Sequence, residues 1–457
     1  MRSIADLAAD LSSGRTRSRA LIEEALARID APGGEGKATF VKVHRVQALA
    51  AAEASDRLRA QAIVPSPLAG LPVSIKDLFD IAGDVTTAGS VALADAPPAR
   101  ADAPAVRRLR AAGAVIVGRS NMTEFAYSGV GLNPHYGTPR NAWDRATGRI
   151  PGGSSSGAAV SVTDRMAVAG LGTDTGGSIR IPSALCGITG LKPTARRVPR
   201  EGGVPLSTTL DSFGPLAPGV ACCALVDAVL AGEAPVVPDA LPLHGLRLAV
   251  CRTIVLDDLD RTVSTTFEAT LQALAKAGAS VKEVAFPVLT SVRECYAAGG
   301  FTAPESFAWH RKLMERAGDK YDPRVIARIR RGGDVPAADY VDLLWRREAL
   351  CAEADAATAP YDAVLLPTCP TVAPPIDALS RVDDYSRINL LMLRNSTFGN
   401  FLDRPALSIP CHKPGEPPVG LMVMGPTMGD RRLVSVGLAV EAALAAAGRG
   451  VLPAMAG

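Results

Sequence analysis

The chain has 457 residues, 47% of them hydrophobic and 21% charged, a balance that excludes a disordered polymer and permits a large core. Only 4% are aromatic, so aliphatic side chains must fill that core, and the length leaves open one large domain or two. A formal charge of +3 leaves no basic stripe for nucleic acid and no acidic tail, so the expected partners are small molecules or proteins.

Residues 1 to about 60 read as helices, with Ile4, Leu7 and Leu11 on one face and Leu21, Ile22, Ala25 and Ile29 on the next. Charges interrupt this segment, so it lacks the apolar core of a signal peptide, and no run approaches the roughly 20 residues of a membrane span. A cytoplasmic protein is expected. Leu71 to Lys76 alternates as a half-buried strand does, with Leu71, Val73 and Ile75 on one side and Ser74 and Lys76 on the other. From Pro104 a helix runs to the stop at Gly113, and Ala114 to Val117 reads as a short buried strand. The pattern repeats with a helix from Ser155 to Val162 and a strand from Met166 to Leu171. Such alternation predicts an α/β fold with parallel pairs covered on both faces and a site at loops beyond strand ends. The Pro-rich stretch 234–242 is the best candidate boundary. Beyond it come a strand at Leu246 to Cys251, a helix carrying Phe267, Leu271 and Leu274, and a strand near Val281, either a second domain or an extension of the same sheet. The eight cysteines are scattered and none stands in C-x-x-C spacing, so they read as reduced, packed side chains.

Gly152-Gly153-Ser154-Ser155-Ser156-Gly157 has the composition of a flexible connector, yet an apolar helix start, Ala158-Ala159-Val160, follows at once. It also satisfies G-x-S-x-G, which would make Ser155 the nucleophile of a hydrolase elbow with His244, His310 or His412 downstream. The elbow needs a buried strand before it, and Arg145 to Pro151 is polar and broken by Gly and Pro. A second loop, Gly172 to Arg180, follows the apparent strand, and its residues Thr175, Gly176, Gly177 and Ser178 can turn backbone N–H groups toward one point as an oxyanion hole requires.

Taken in order, Gly70-Leu-Pro-Val-Ser-Ile-Lys76-Asp77, Gly118-Arg-Ser-Asn121-Met-Thr-Glu124-Phe125, Pro151 to Gly157, Gly172 to Arg180 and Cys186 to Pro193 resemble the amidase signature family. Pro405 to Pro410 and Pro418 to Met422 fit as well, while the match is good over 70–215 and loose over 216–400. The resemblance implies a single α/β/α domain with a central mixed sheet, hydrolysis of a linear amide C–N bond, and no cofactor or metal. It implies a triad of Ser178 as nucleophile, Ser154 in a cis peptide as bridging serine and Lys76 as base. The chemistry is coherent: a serine needs a base, a lysine serves only when neutral, and burial disfavours its ammonium.

Asp174 and Arg180 flank Ser178 as an expected ion pair bracing the loop, and Ser155 is expected to hydrogen-bond around Lys76. Tyr127 and Ser128 are candidate substrate contacts; Asn121, Glu124 and His135 are expected to brace structure, and Cys186 to pack. The substrate is expected to be a small amide, with no direct nucleic-acid or membrane contact and room for a homodimer or a small partner protein. Two other readings stay open: the glutaminase-type subunit of a tRNA-dependent amidotransferase, and an idle homologue acting as a scaffold.

Overall fold

The computed structural model describes residues 1–297 and 299–450. Its eleven strands are β1 Phe40–Val43, β2 Pro72–Lys76, β3 Val115–Ser120, β4 Ala169–Asp174, β5 Thr189–Lys192, β6 Ser212–Ala217, β7 Arg247–Cys251, β8 Ser280–Val284, β9 Ala363–Pro367, β10 Ala406–Pro410 and β11 Gly420–Met424. They form one sheet in the order β1-β3-β2-β4-β6-β5-β10-β11-β9-β7-β8. The pairs β2–β3, β2–β4, β7–β8 and β7–β9 are parallel and the rest antiparallel, so the α/β sheet is mixed. The strands beyond the Pro-rich stretch join this sheet, because β9 pairs with both β7 and β11.

Alternation along each strand decides which helices cover which face. Val73 and Ile75 of β2, Leu171 of β4 and Leu407 of β10 pack in one cluster with Leu7 of helix Ile4–Ser12, Val106 of Pro104–Ala111, Val226 of Val220–Ala231 and Val436 of Asp430–Ala446. The opposite face receives helices Ser18–Asp30 and Arg45–Ala60 over Val115 and Val117, and helix Ser156–Thr163 through Ala158, Ala159 and Val162. Ser74, the polar neighbour of Lys76 on that face, hydrogen-bonds Ser161 Oγ at 2.8 Å.

Three expectations are corrected by this arrangement. The strand at Leu71 to Lys76 has the predicted alternation but is buried on both faces, since it lies between β3 and β4 with helices above and below. The strand expected at Met166 to Leu171 starts at Ala169 and continues to Asp174, into the second glycine loop. The stretch 1–60 is not all helical, because Phe40–Val43 pairs antiparallel with β3 as the edge strand. Among the described residues no helix is long and apolar enough to cross a membrane.

Candidate active site

The parallel register of β2 and β4 pairs Ile75 with Leu171, so the next residues of both strands, Lys76 on one and Gly172 and Thr173 on the other, emerge together at the C-terminal edge. Lys76 is fully buried there, and its Nζ donates to Ser154 Oγ at 2.8 Å and to Thr173 Oγ1 at 2.7 Å. Burial pushes the Lys76 ammonium down to about 7, against the opposing pull of Asp174 and Asp211. Burial therefore favours the neutral amine, the form able to accept a proton. Sequence reasoning misses Thr173; its one signal is its place two residues beyond Leu171, on a strand that runs past that point.

Ser154 follows a cis peptide from Gly153 and precedes helix Ser156–Thr163. A Cβ on Gly153 would stand 2.6 Å from Gly131 N, so the glycine pair before the serines is required for close backbone approach. Ser155 N donates to Ser178 O at 3.2 Å, which ties the two glycine loops together. The Ser155 hydroxyl does not reach Lys76: it donates to Thr173 O at 3.3 Å and accepts from Thr173 N at 3.4 Å. It braces the residue that holds Lys76. Of the side-chain relay, the Lys76–Ser154 half is hydrogen-bonded; among the described residues no hydrogen bond joins the Oγ atoms of Ser154 and Ser178.

The second loop is held from within by Asp174. Burial pushes its carboxyl up, but the Arg180 charge and hydrogen bonds outweigh burial and hold it down at about 2. Arg180 binds it at two points, 2.8 and 3.0 Å, with both side chains fully buried, and completes its own shell with Asn400 Oδ1 at 2.7 Å. The expected ion pair is present. Asp174 also accepts from Gly177 N at 2.8 Å and Ile179 N at 3.1 Å. This corrects the expected donor set, since the Gly177 N–H is spent on a carboxylate. Among the described residues the N–H groups of Thr175, Gly176 and Ser178 have no protein acceptor. Gly177 instead supplies conformation: its φ is +132°, and an added Cβ would lie 2.1 Å from Ser396 Oγ, which itself donates to Gly176 O at 2.6 Å. Gly177→Ala is expected to lower kcat about 100-fold or more, the scale of losing an oxyanion donor, while circular dichroism shows the fold retained.

Two further groups close around this centre. Asp211 is the cross-strand neighbour of Thr175, because β4 and β6 pair Asp174 with Ser212, and it accepts the Thr175 hydroxyl. On the other side Gly153 N donates to Gly129 O at 2.8 Å, which places the segment Tyr127 to Gly129 against the first glycine loop. Ser128, an expected substrate contact, already donates to Asn389 Oδ1 at 2.9 Å. Tyr127 is only partly buried, and Arg328 donates to its carbonyl at 2.6 Å while lying over the Tyr385 ring at 5.2 Å. Arg328 forms no ion pair among the described residues, unlike Arg324 beside it, which is bound by Asp322 at 2.7 Å. This cation sits in the loosely matching region, where no motif marks it.

The remaining candidates are structural in their contacts. Asn121 donates to Ala38 O and Gly137 O, both at 2.8 Å, and His135 pairs with Glu124 at 2.8 Å. Cys186 donates to Pro151 O at 3.2 Å, and burial pushes its thiol far up. His310 bonds Tyr321, and His412 accepts from Val419 N. No imidazole hydrogen-bonds Ser154, Ser155 or Ser178 among the described residues, so the elbow arrangement is absent.

A family model described as Amidase matches residues 20–434. The 2-amino-5-chloromuconic acid deaminase of Comamonas testosteroni is 37% identical over 404 residues, spanning 87% of this chain and 86% of that protein. A glutamyl-tRNA(Gln) amidotransferase subunit of Chloroflexus aggregans is 34% identical over 466 residues, with 94% of each chain covered. A crystal structure of an amidase superposes with a TM-score of 0.87 at 34% identity, covering 96% of this chain and 99% of that one.

Proposed function

The chain belongs to the amidase family, a hydrolase of amide C–N bonds, and on that premise we propose that it works through a seryl acyl-enzyme built on Ser178, Ser154 and Lys76. Ser178 Oγ bonds to the carbonyl carbon of a small carboxamide as its proton passes to Ser154 and the Ser154 proton passes to neutral Lys76. The oxyanion is held by N–H groups of Thr175, Gly176 and Ser178. Lys76 returns the proton through Ser154 to the leaving nitrogen, the C–N bond breaks, and ammonia or an amine departs. Water then attacks the ester carbon by the same relay, releasing the carboxylate and restoring Ser178. The observation that carries this reading is the 2.8 Å contact between Ser154 and a buried lysine whose ammonium is disfavoured.

We read residues 1–457 as one domain with 70–215 as its signature core, since strands from the whole length share one sheet. A cytoplasmic setting accords with eight free cysteines. Arg328, bound to the Tyr127 carbonyl and without an ion pair among the described residues, favours a substrate bearing a carboxylate, and a relative's named substrate is a muconic acid.

The test is ammonia release by the purified full chain from acetamide, benzamide, glutamine and malonamate, with Ser178→Ala as blank and no ATP, tRNA or second protein. Turnover is expected, with the acidic amides preferred. Arg328→Met is expected to raise KM for malonamate about 10- to 100-fold, the loss of one charge-assisted contact, and to leave benzamide unchanged. Silence across the panel, with glutaminase activity only after adding partner proteins and tRNA, would place the chain with the tRNA-dependent amidotransferases instead.

A further inference from the structure

Asp211 stands outside the triad, yet its buried carboxylate ties the 206–211 segment to the loop that carries Ser178. One oxygen accepts the Thr175 hydroxyl and Ser207 N at 3.2 Å, and the other accepts Leu206 N at 3.0 Å and Ser207 N at 3.2 Å. Thr175 opens the turn that leads to Ser178, and its N–H and those of Gly176 and Ser178 have no protein acceptor among the described residues, so its side chain is the handle by which the turn is fixed. The 206–211 segment is clamped from its other side by Glu305 of helix Thr302–Ala317, which accepts from Ser207 Oγ, Thr209 Oγ1, Thr209 N at 3.1 Å and Tyr340 OH at 2.7 Å. The carboxylate thus stands on a braced support.

Burial pushes this carboxyl up to about 6, against the hydrogen bonds from Thr175, Leu206 and Ser207. The two acids that act on Lys76 are Asp174 and Asp211. Asp174 is neutralised by the two-point contact with Arg180, whereas Asp211 has no salt bridge among the described residues. Arg200 donates to the backbone carbonyl of Asp211 at 3.2 Å.

We propose that Asp211 is a positioning residue of this amidase: its carboxylate fixes Thr175, and with it the N–H turn around Ser178. The inference rests on the triad reading given above. One consequence separates it from a merely structural role: losing the contact should slow formation of the oxyanion without weakening ground-state binding.

The experiment measures labelling of the full-length protein by a fluorophosphonate. In that step Ser178 Oγ bonds to phosphorus, fluoride leaves, and the serine proton passes through Ser154 to Lys76. Followed against pH and probe concentration, the rate needs no knowledge of the natural substrate. Wild type is expected to rise through a midpoint near 7. Asp211→Asn and Thr175→Val should each lower the limiting rate about 10-fold, with the half-saturating probe concentration unchanged. An unchanged limiting rate overturns the proposal, and Thr175→Val decides it even if Asp211→Asn does not fold. Peptide mapping keeps the two readings apart: a label on a residue other than Ser178 sinks the triad, whereas a label on Ser178 at an undiminished rate in the variants sinks only the role of Asp211.

Discussion

Replacement of Ser178 by alanine is expected to reduce kcat to the level of buffer without enzyme, a loss of about 10⁴-fold or more, because no acyl-enzyme can then form. Ser155→Ala is expected to stay within about 100-fold of wild type, since its hydroxyl touches only the main chain of Thr173. The contrast tests the assignment sharply, as Ser155 is the serine that the G-x-S-x-G pattern selects. Both serines are buried in adjoining loops, so gross destabilisation would affect both variants alike. Ammonia release and the mass of the fluorophosphonate-labelled peptide are the measurements. An inactive Ser155→Ala beside an active Ser178→Ala would reverse the reading.

Lys76→Met is expected to lower kcat about 10³-fold, within the range for loss of a general base, and the wild-type pH profile should carry the signature of an amine. The sign follows from burial. The neutral form is the one that accepts the Ser154 proton, and desolvation brings its ionisation down to about 7. The rate should therefore climb as pH rises through that value and level off above it, falling tenfold per unit on the acid side. A histidine would give a limb at similar pH, so the variants must separate the two. His310→Gln and His412→Gln are expected to retain activity, as their ring nitrogens bond Tyr321 and Val419, whereas Lys76→Met should abolish the limb with the rate. A histidine variant as inactive as Lys76→Met would point to an imidazole base.

The strands are legible where burial and alternation coincide. Val73 and Ile75 against Ser74 and Lys76 divide the faces correctly, because side chains along a strand alternate whatever lies above them. The same pattern misjudges how deep the strand lies: Ser74 and Lys76 look solvent-facing until helix Ser156–Thr163 covers them. Phe40–Val43 escapes notice because four residues carry too little periodicity to stand apart from the helices around them. The extension of β4 to Asp174 is hidden because Gly172, Thr173 and Asp174 have turn composition and are held straight only by pairing with β6.

Sequence by itself determined the family and the α/β character and supplied the proposed set of Lys76, Ser154 and Ser178, since those depend on local motifs in fixed order. Tertiary structure alone decided the rest of the site. Thr173 reaches Lys76 through the register of two parallel strands, and Asp211 reaches Thr175 across an antiparallel pair, 36 residues away in the chain. Gly177 belongs to the loop, yet its N–H faces Asp174 rather than the Ser178 side, which depends on a φ of +132° that composition cannot express. Arg328 is one of many arginines in the sequence. Only the fold lays it on the Tyr127 carbonyl with no ion pair among the described residues, because charge pairing is a property of neighbours in space.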